Sequence, residues 1–358
     1  MTAQTPLANR RGPIQRALAA HVAARFDFPL AVGVAARSPL GCRAIRIQPV
    51  ATPPERSRQL CREMHGWLTQ QHWIAGAIAA PTCIYVRPDD EWLLSASVLP
   101  SDADAFAVTS SAVHTVPPAW SDVTTLQDWR VLHVGRAVRR LVPLDVGSSG
   151  NSPSRPLTVV AGRRDDAGLI AVAPVDVENG AMKASNAGVV TPDDVLLAIR
   201  SIARRADDAA DRTLEREADL ALAFVVGRVP RLDHVRISLQ RIQSDVAACM
   251  SIVGALTGRA DGPPGIQIHK KAGGDDPAEL AIELDLFGIA LHQAAERLDP
   301  APLLRYAHAL SRRMLDSSPF LRRDVASAAR ATLHAALSHA GCLEADASAL
   351  SATSQPWS

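Results

Sequence analysis

Apolar residues in the C-terminal half recur at helical spacing. Val235, Leu239, Ile242, Val246, Cys249, Val253 and Leu256 follow one another at intervals of 4-3-4-3-4-3, which predicts a single helix over 232–257, ended by Gly258. After a Gly/Lys/Asp/Pro loop at 258–277, a second stripe runs through Leu280, Leu284, Phe287 and Leu291. Asp299 and Pro300 then open a helix whose face carries Leu303, Ala307, Leu310 and Met314. A last helix holds Val325, Ala329, Leu333, Ala336 and Leu337 and stops near Gly341. Four amphipathic helices with short connections predict a bundle.

The first hundred residues mix the two periods. Residues 12–26 alternate small apolar and basic positions at helical spacing, and CRAIRIQPV (42–50) alternates as a strand does. PPERSRQLCREMHGWLTQQ (53–71) reads as a helix opened by Pro53 and Pro54, with Leu60, Met64, Trp67 and Leu68 on one face. Strand, turn and short helix are expected over 74–98. Between these halves, 100–128 and GSSGNSPSRP (147–156) are rich in breakers, LTVVAG (157–162) and LIAVAPVDV (169–177) read as short strands, and Thr191-Pro192 caps a helix over 190–206. The fold class expected is an α+β N-terminal part followed by an all-α helical bundle. Its boundaries are a small α/β domain at 1–100, a linker with a vestigial segment at 101–212, the bundle at 213–343 and a disordered tail at 344–358.

Composition narrows the function classes. Hydrophobic residues are 47% of 358 and aromatics only 4%, which suits helices packed through small aliphatic side chains. Lys+Arg (38) against Asp+Glu (37) leaves a net charge of +1, which excludes a globally basic nucleic-acid binder but not one basic face. Apolar runs fall short of a membrane span, and Arg10, Arg11, Arg16 and Arg25 interrupt any signal-peptide core. Five scattered cysteines without a CxxC read as reduced thiols, so a cytoplasmic location is expected and no metal site is.

HVRISLQRIQS (234–244) resembles, through Val235, Arg241 and Ile242, the Tyr-Val-Gln-Tyr-Ala-His-Ala-Arg-Ile signature of class I arginyl-tRNA synthetases; His234 and Ile237 replace its tyrosines. Pro300, Leu303, Tyr306 and Leu310 match a second helix of that family, and Arg330 with Leu333 matches the helix that names its DALR-type anticodon-binding domain. The resemblance spans 215–343. Pro81, Ile84, Trp92 and Leu93 resemble the end of the family's N-terminal additional domain. In the middle, NGAMKASNAG (179–188) resembles the signature loop, with Gly180 and Gly188 holding the frame and Lys183 and Ser185 between them. LHVGRAV (132–138) resembles the His-Ile-Gly-His motif with Arg136 in place of the second His, and it also reads as an unrelated surface helix.

The resemblance implies ATP-dependent ligation of arginine to tRNA, whereas the residues argue against it. Adenylate formation relies on cations placed around the phosphate. Here the loop carries Ala181, Met182, Ala184, Ser185 and Asn186, and Lys183 alone keeps a charge, displaced by one position. Only 49 positions separate His133 from Met182, too few for a complete doubly wound fold between such motifs. The expected activity is therefore binding of tRNA or another structured RNA, with aminoacylation lost, no catalytic residue and no cofactor. Candidate RNA contacts are Arg236, Arg241, Arg305, Arg312, Arg313 and Arg330 for phosphates and Tyr306 for a base. Two other readings stay open: an active ligase-type enzyme using ATP at a compact site over 129–205, and a helical module that binds a protein partner, its arginines a solvated surface.

Overall fold

The computed structural model describes residues 12–50, 52–97, 113–115, 123–149, 157–166, 168–177, 191–198, 214–257, 277–317 and 322–343. It has a mixed α/β N-terminal region and a helical C-terminal part. Helix α1 (Pro13–Ala23) starts with Pro at its first position and buries Ile14, Leu18 and Val22. Strands β1 (Leu30–Ala35) and β2 (Ala44–Pro49) pair antiparallel, with Leu30 opposite Pro49 and Ala35 opposite Ala44. In β2, Ile45 and Ile47 point into the core and Arg46 outward. Helix α2 (Pro54–Leu68) buries Leu60, Cys61, Met64 and Leu68. The apolar run after it forms two strands, β3 (Ile74–Ala79) and β4 (Ile84–Pro88), and Asp89 Oδ1 then accepts from Trp92 N at 2.7 Å to cap α3 (Asp90–Ser97). The four-stranded sheet is ordered β1-β2-β4-β3, so β4 inserts between the two strands that α2 joins.

A second, parallel sheet of three short strands follows: β5 (Val113–Thr115), β6 (Leu157–Ala161) and β7 (Leu169–Val172). Helix α4 (Leu126–Ser149) crosses from β5 to β6 and starts with a capping box, in which Thr125 Oγ1 accepts from Asp128 N (3.1 Å) and Asp128 Oδ2 from Thr125 N (3.0 Å). Strand β8 (Val175–Val177) pairs in parallel with β9 (Val235–Ile237). The same box recurs between Thr191 and Asp194 at a helical segment over 192–198. The helical part consists of α5 (Leu214–Gly227), α6 (Leu239–Thr257), α7 (Pro277–Asp285), α8 (Phe287–Arg297), α9 (Ala301–Ser317) and α10 (Arg323–His339). No helix among the described residues is long and apolar enough to cross a membrane.

Two sequence expectations are corrected. The stretch 232–257 is not one helix. Val-Arg-Ile at 235–237 alternates buried, exposed, buried and pairs with β8; Ser238 Oγ then accepts from Arg241 N at 3.2 Å as α6 begins. Of the expected stripe, Ile242, Val246 and Cys249 are buried on α6 and Val253 and Leu256 are half-buried against the same core, where Ile252 is buried instead. The stripe through Leu280 and Leu291 is likewise split in two at Leu286.

The split frees α7 to serve two cores. Leu280 and Leu284 pack with Leu310, Leu333 and the rest of the helical core, to which α4 adds Trp129, Ala137 and Leu141. Ala278, Ala281 and Ile282 pack among Ile14, Leu18, Met64 and Leu93 of the N-terminal unit. The C-terminal residue of α7, Asp285, caps α1 from 271 positions away: its Oδ1 accepts from Ile14 N at 2.9 Å and its Oδ2 from Gln15 Nε2 at 2.6 Å. A Cβ at Gly12 would lie 2.0 Å from Asp285 Oδ1, so this approach requires glycine. Around the same joint Glu279 pairs with Arg43 (3.7 Å) and Arg87 (3.5 Å), and Glu283 with Arg43.

Candidate functional site

In open parallel sheets, ligands bind outside the carboxyl ends of the strands, beside the start of the crossover helix. In this chain two arginines fill that place. Arg130, in the second turn of α4, is fully buried. Its Nη1 donates to the carbonyls of Ala173 (2.7 Å) and Asp233 (3.0 Å), and its Nη2 to Pro230 (2.9 Å). Burial pulls its pKa down to about 10, opposed chiefly by Asp299, so it stays cationic at neutral pH. Arg231 forks onto Asp165, with Nη1–Oδ1 and Nη2–Oδ2 both 2.6 Å, and its Nη1 also donates to Ala171 O at 2.8 Å. The Arg231 fork onto Asp165, more than any other cause, holds the Asp165 carboxyl below its ordinary range. The backbone N–H of Arg231 donates to Asp299 Oδ2 at 3.0 Å, and Asp299 Oδ1 caps α9 through Ala301 N. Gln127 Nε2 donates to Val172 O at 3.2 Å. These donors are committed to the main chain at the end of β7, to the carbonyls of Pro230 and Asp233 after α5, and to Asp165 and Asp299. Among the described residues, the terminal nitrogens of Gln127, Arg130 and Arg231 are all engaged in this way, none of them left for a nucleotide triphosphate at the end of β7.

The segment LHVGRAV lies within α4, not at its start, and it is not a surface helix either. His133 is 2% exposed and stacks on Trp129, with ring centroids 5.3 Å apart and planes 18° apart. Burial, reinforced by Arg136, Arg130 and Arg140, pushes its pKa down to about 3, so the ring is neutral. A Cβ at Gly227 would come within 2.7 Å of His133 Nε2, so α5 meets α4 there through glycine. His133 is thus a packing residue. Gly180, Lys183, Ser185 and Gly188 of the signature-like loop lie outside the described residues.

The expected RNA contacts separate into different environments. Arg236, Arg305 and Arg312 are exposed, on β9 and α9. Arg241 is mostly buried, donates from Nη2 to Val225 O at 2.9 Å and pairs with Asp245 at 3.4 Å. Arg313 turns toward α7 and pairs with Glu279 at 3.7 Å; Arg330 is half-buried on α10. Tyr306 is corrected outright. Its ring is 6% exposed and packs on Phe287 with centroids 5.7 Å apart, and burial raises its hydroxyl pKa well above the ordinary value, so it offers no face to a base.

Sequence reading missed Arg228. Following Gly227 at the end of α5, it pairs with the fully buried Asp245 at 2.9 Å. Burial raises the Asp245 carboxyl, and Arg228 and Arg241 oppose that rise. His308 on α9 lies near both Arg228 and Arg312; burial first, then those two charges, lowers its pKa. Arg228 and Arg241 thus share the Asp245 carboxylate, and Arg228 together with Arg312 acts on His308, so positive charge outweighs negative along this side of α9. The Arg241-to-Asp245 spacing of i, i+4 was the available sequence signal; the approach of α5 was not visible.

Comparison with models of known families finds no match, and neither does comparison with curated protein sequences. Among solved structures, the fold is similar to that of Thermus thermophilus arginyl-tRNA synthetase, with a TM-score of 0.55, 11% identity, and coverage of 92% of this chain and 97% of that one. The chain thus has an arginyl-tRNA synthetase-like fold.

Proposed function

We propose that this chain is an arginyl-tRNA synthetase-like protein that binds tRNA or another structured RNA through its helical part and does not form an aminoacyl adenylate on its own. The helical part corresponds in this reading to a DALR-type anticodon-binding domain. The observation that carries the RNA half is the pair Arg305 and Arg312. Both are exposed on α9 and neither makes an ion pair among the described residues, in a fold shared with a tRNA synthetase. Phosphate contacts from such side chains supply most sequence-independent affinity for nucleic acids. The loss of adenylation is supported by the cation-poor loop, where Lys183 alone keeps a charge, and by Arg130 and Arg231, whose guanidinium groups are engaged with the main chain and Asp165.

Two measurements test this reading. Binding of tRNA should weaken with salt at a log–log slope of roughly −2 to −3, as about three neutralised phosphates require. Arginine-dependent ATP–pyrophosphate exchange should be absent, with or without tRNA. Affinity for tRNA no greater than for random RNA would point instead to a protein partner. Exchange that a Lys183→Ala change abolishes would establish a working enzyme.

A further inference from the structure

We propose that a backbone phosphate of the bound RNA seats among Arg228, His308 and Arg312, where the end of α5, the first turns of α6 and the middle of α9 converge. The inference rests on the RNA-binding reading and assigns it a particular seat.

The geometry is set by a close approach. At Gly227 a Cβ would lie 3.0 Å from Leu304 Cδ1, so the end of α5 lies directly against α9 one turn before His308. Arg228 follows immediately. Its side chain keeps 28% of its surface in solvent while reaching Asp245 at 2.9 Å. Asp245 is wholly buried and holds Arg241 on its other side, and Arg241 is anchored in turn on Val225 O. The carboxylate therefore orients two guanidinium groups without neutralising both. Arg305, His308 and Arg312 fall at i, i+3 and i+7 on one face of α9, so His308 stands between two exposed arginines.

The chemistry of this cluster matches a phosphodiester. Like charges gathered around a half-buried imidazole repel one another, and the surplus is relieved by an anion with several acceptor oxygens. Arg228 keeps solvent-exposed surface beyond its ion pair with Asp245, Arg312 is unpaired among the described residues, and a neutral imidazole offers one N–H. A singly charged phosphodiester needs no full dehydration at such a half-exposed place.

The test uses the full chain and tRNA, with affinity measured by fluorescence anisotropy between 50 and 200 mM salt. Arg312→Gln should weaken tRNA binding roughly tenfold and reduce the salt slope by about one. Arg62→Gln, which removes the same charge from exposed α2 of the N-terminal unit, should leave both unchanged. Independently, the His308 ring resonances should shift on titration with inorganic pyrophosphate, with the imidazole pKa moving upward as the anion offsets the arginines. Equal effects of Arg312→Gln and Arg62→Gln, or His308 resonances indifferent to pyrophosphate, would overturn this seat while tRNA binding stands. Failure of the unsubstituted chain to prefer tRNA over random RNA would remove the RNA-binding reading and the seat with it.

Discussion

Replacing Asp285 with asparagine isolates the charge of a carboxylate that caps a helix from another part of the fold. Asp285 is completely buried and accepts from Ile14 N at 2.9 Å, Gln15 N at 3.3 Å and Gln15 Nε2 at 2.6 Å. Burial lifts its carboxyl from 3.8 to about 6 against the pull of those bonds and of Arg16. Between these values the folded state binds a proton that the unfolded state does not, so this group's contribution to stability falls as pH rises from about 4 to about 6 and is level above. The displacement of about two pKa units corresponds to roughly 3 kcal/mol, of which about 1.4 kcal/mol is recovered at pH 5. Asp285→Asn keeps the side-chain size and an acceptor for the two main-chain donors, and Gln15 can reverse its amide to accept in turn. At pH 7 the change is expected to cost under about 1 kcal/mol or to stabilise, since the buried charge is gone. At pH 5 the same change should be less favourable by roughly 1 to 1.5 kcal/mol, because the unsubstituted protein has regained its proton. Urea unfolding of both proteins at the two pH values measures this. A difference independent of pH, or a loss above about 3 kcal/mol at pH 7, would refute the reasoning and show that the ionised charge itself holds α1 in place.

Replacing the buried guanidinium by Arg130→Met leaves the carbonyls of Ala173, Asp233 and Pro230 without that donor; at about 1–3 kcal/mol each the loss should be at least roughly 3 kcal/mol, and urea unfolding showing less than about 2 kcal/mol would mean that water reaches them. Val246→Asp places a charge at a position 3% exposed in the helical core, with an expected loss of several kcal/mol, read as a lowered melting temperature by circular dichroism.

Local chemistry made much of the fold legible. Pro54 and the Leu60–Met64–Leu68 face mark α2, Asp299 with Pro300 marks the start of α9, and Gly341, at φ 79°, marks the end of α10. Strand β9 was hidden because Val235 and Leu239, four apart, extend a helical stripe as readily as Val235 and Ile237, two apart, make a strand. A three-residue strand cannot outweigh nineteen residues of helix in a pattern; its partner β8 decides it. The candidate site was only partly legible for the same reason. Exposed Arg305 and Arg312 follow from the polar face of an amphipathic helix. The burial of Tyr306, the roles of Arg130 and Arg231, and the Arg228–Asp245 pair depend on elements 17 to 103 positions away in sequence.

The joint at α7 bears on how an RNA would be held. This helix of nine residues gives Leu280 and Leu284 to the bundle and Ala278, Ala281 and Ile282 to the N-terminal core. Its acids Glu279 and Glu283 pair with Arg43 and Arg87 of the N-terminal unit, Glu279 also takes Arg313 from α9, and Asp285 caps α1. Almost every side chain of α7 is thereby engaged on one side or the other, and parting the two units would expose two apolar surfaces and strand a buried carboxylate at once. Both costs are large against a typical stability of about 5–15 kcal/mol, so opening at this joint is coupled to unfolding and not to a hinge. In the RNA-binding reading, the backbone positions of Arg305 and Arg312 on α9 are thereby set before any RNA arrives, and only their side chains remain to be ordered. A preformed spacing spares the ordering cost that a flexible basic segment would incur, so affinity should depend on how well the RNA's phosphates match that spacing and not on the number of arginines in the chain.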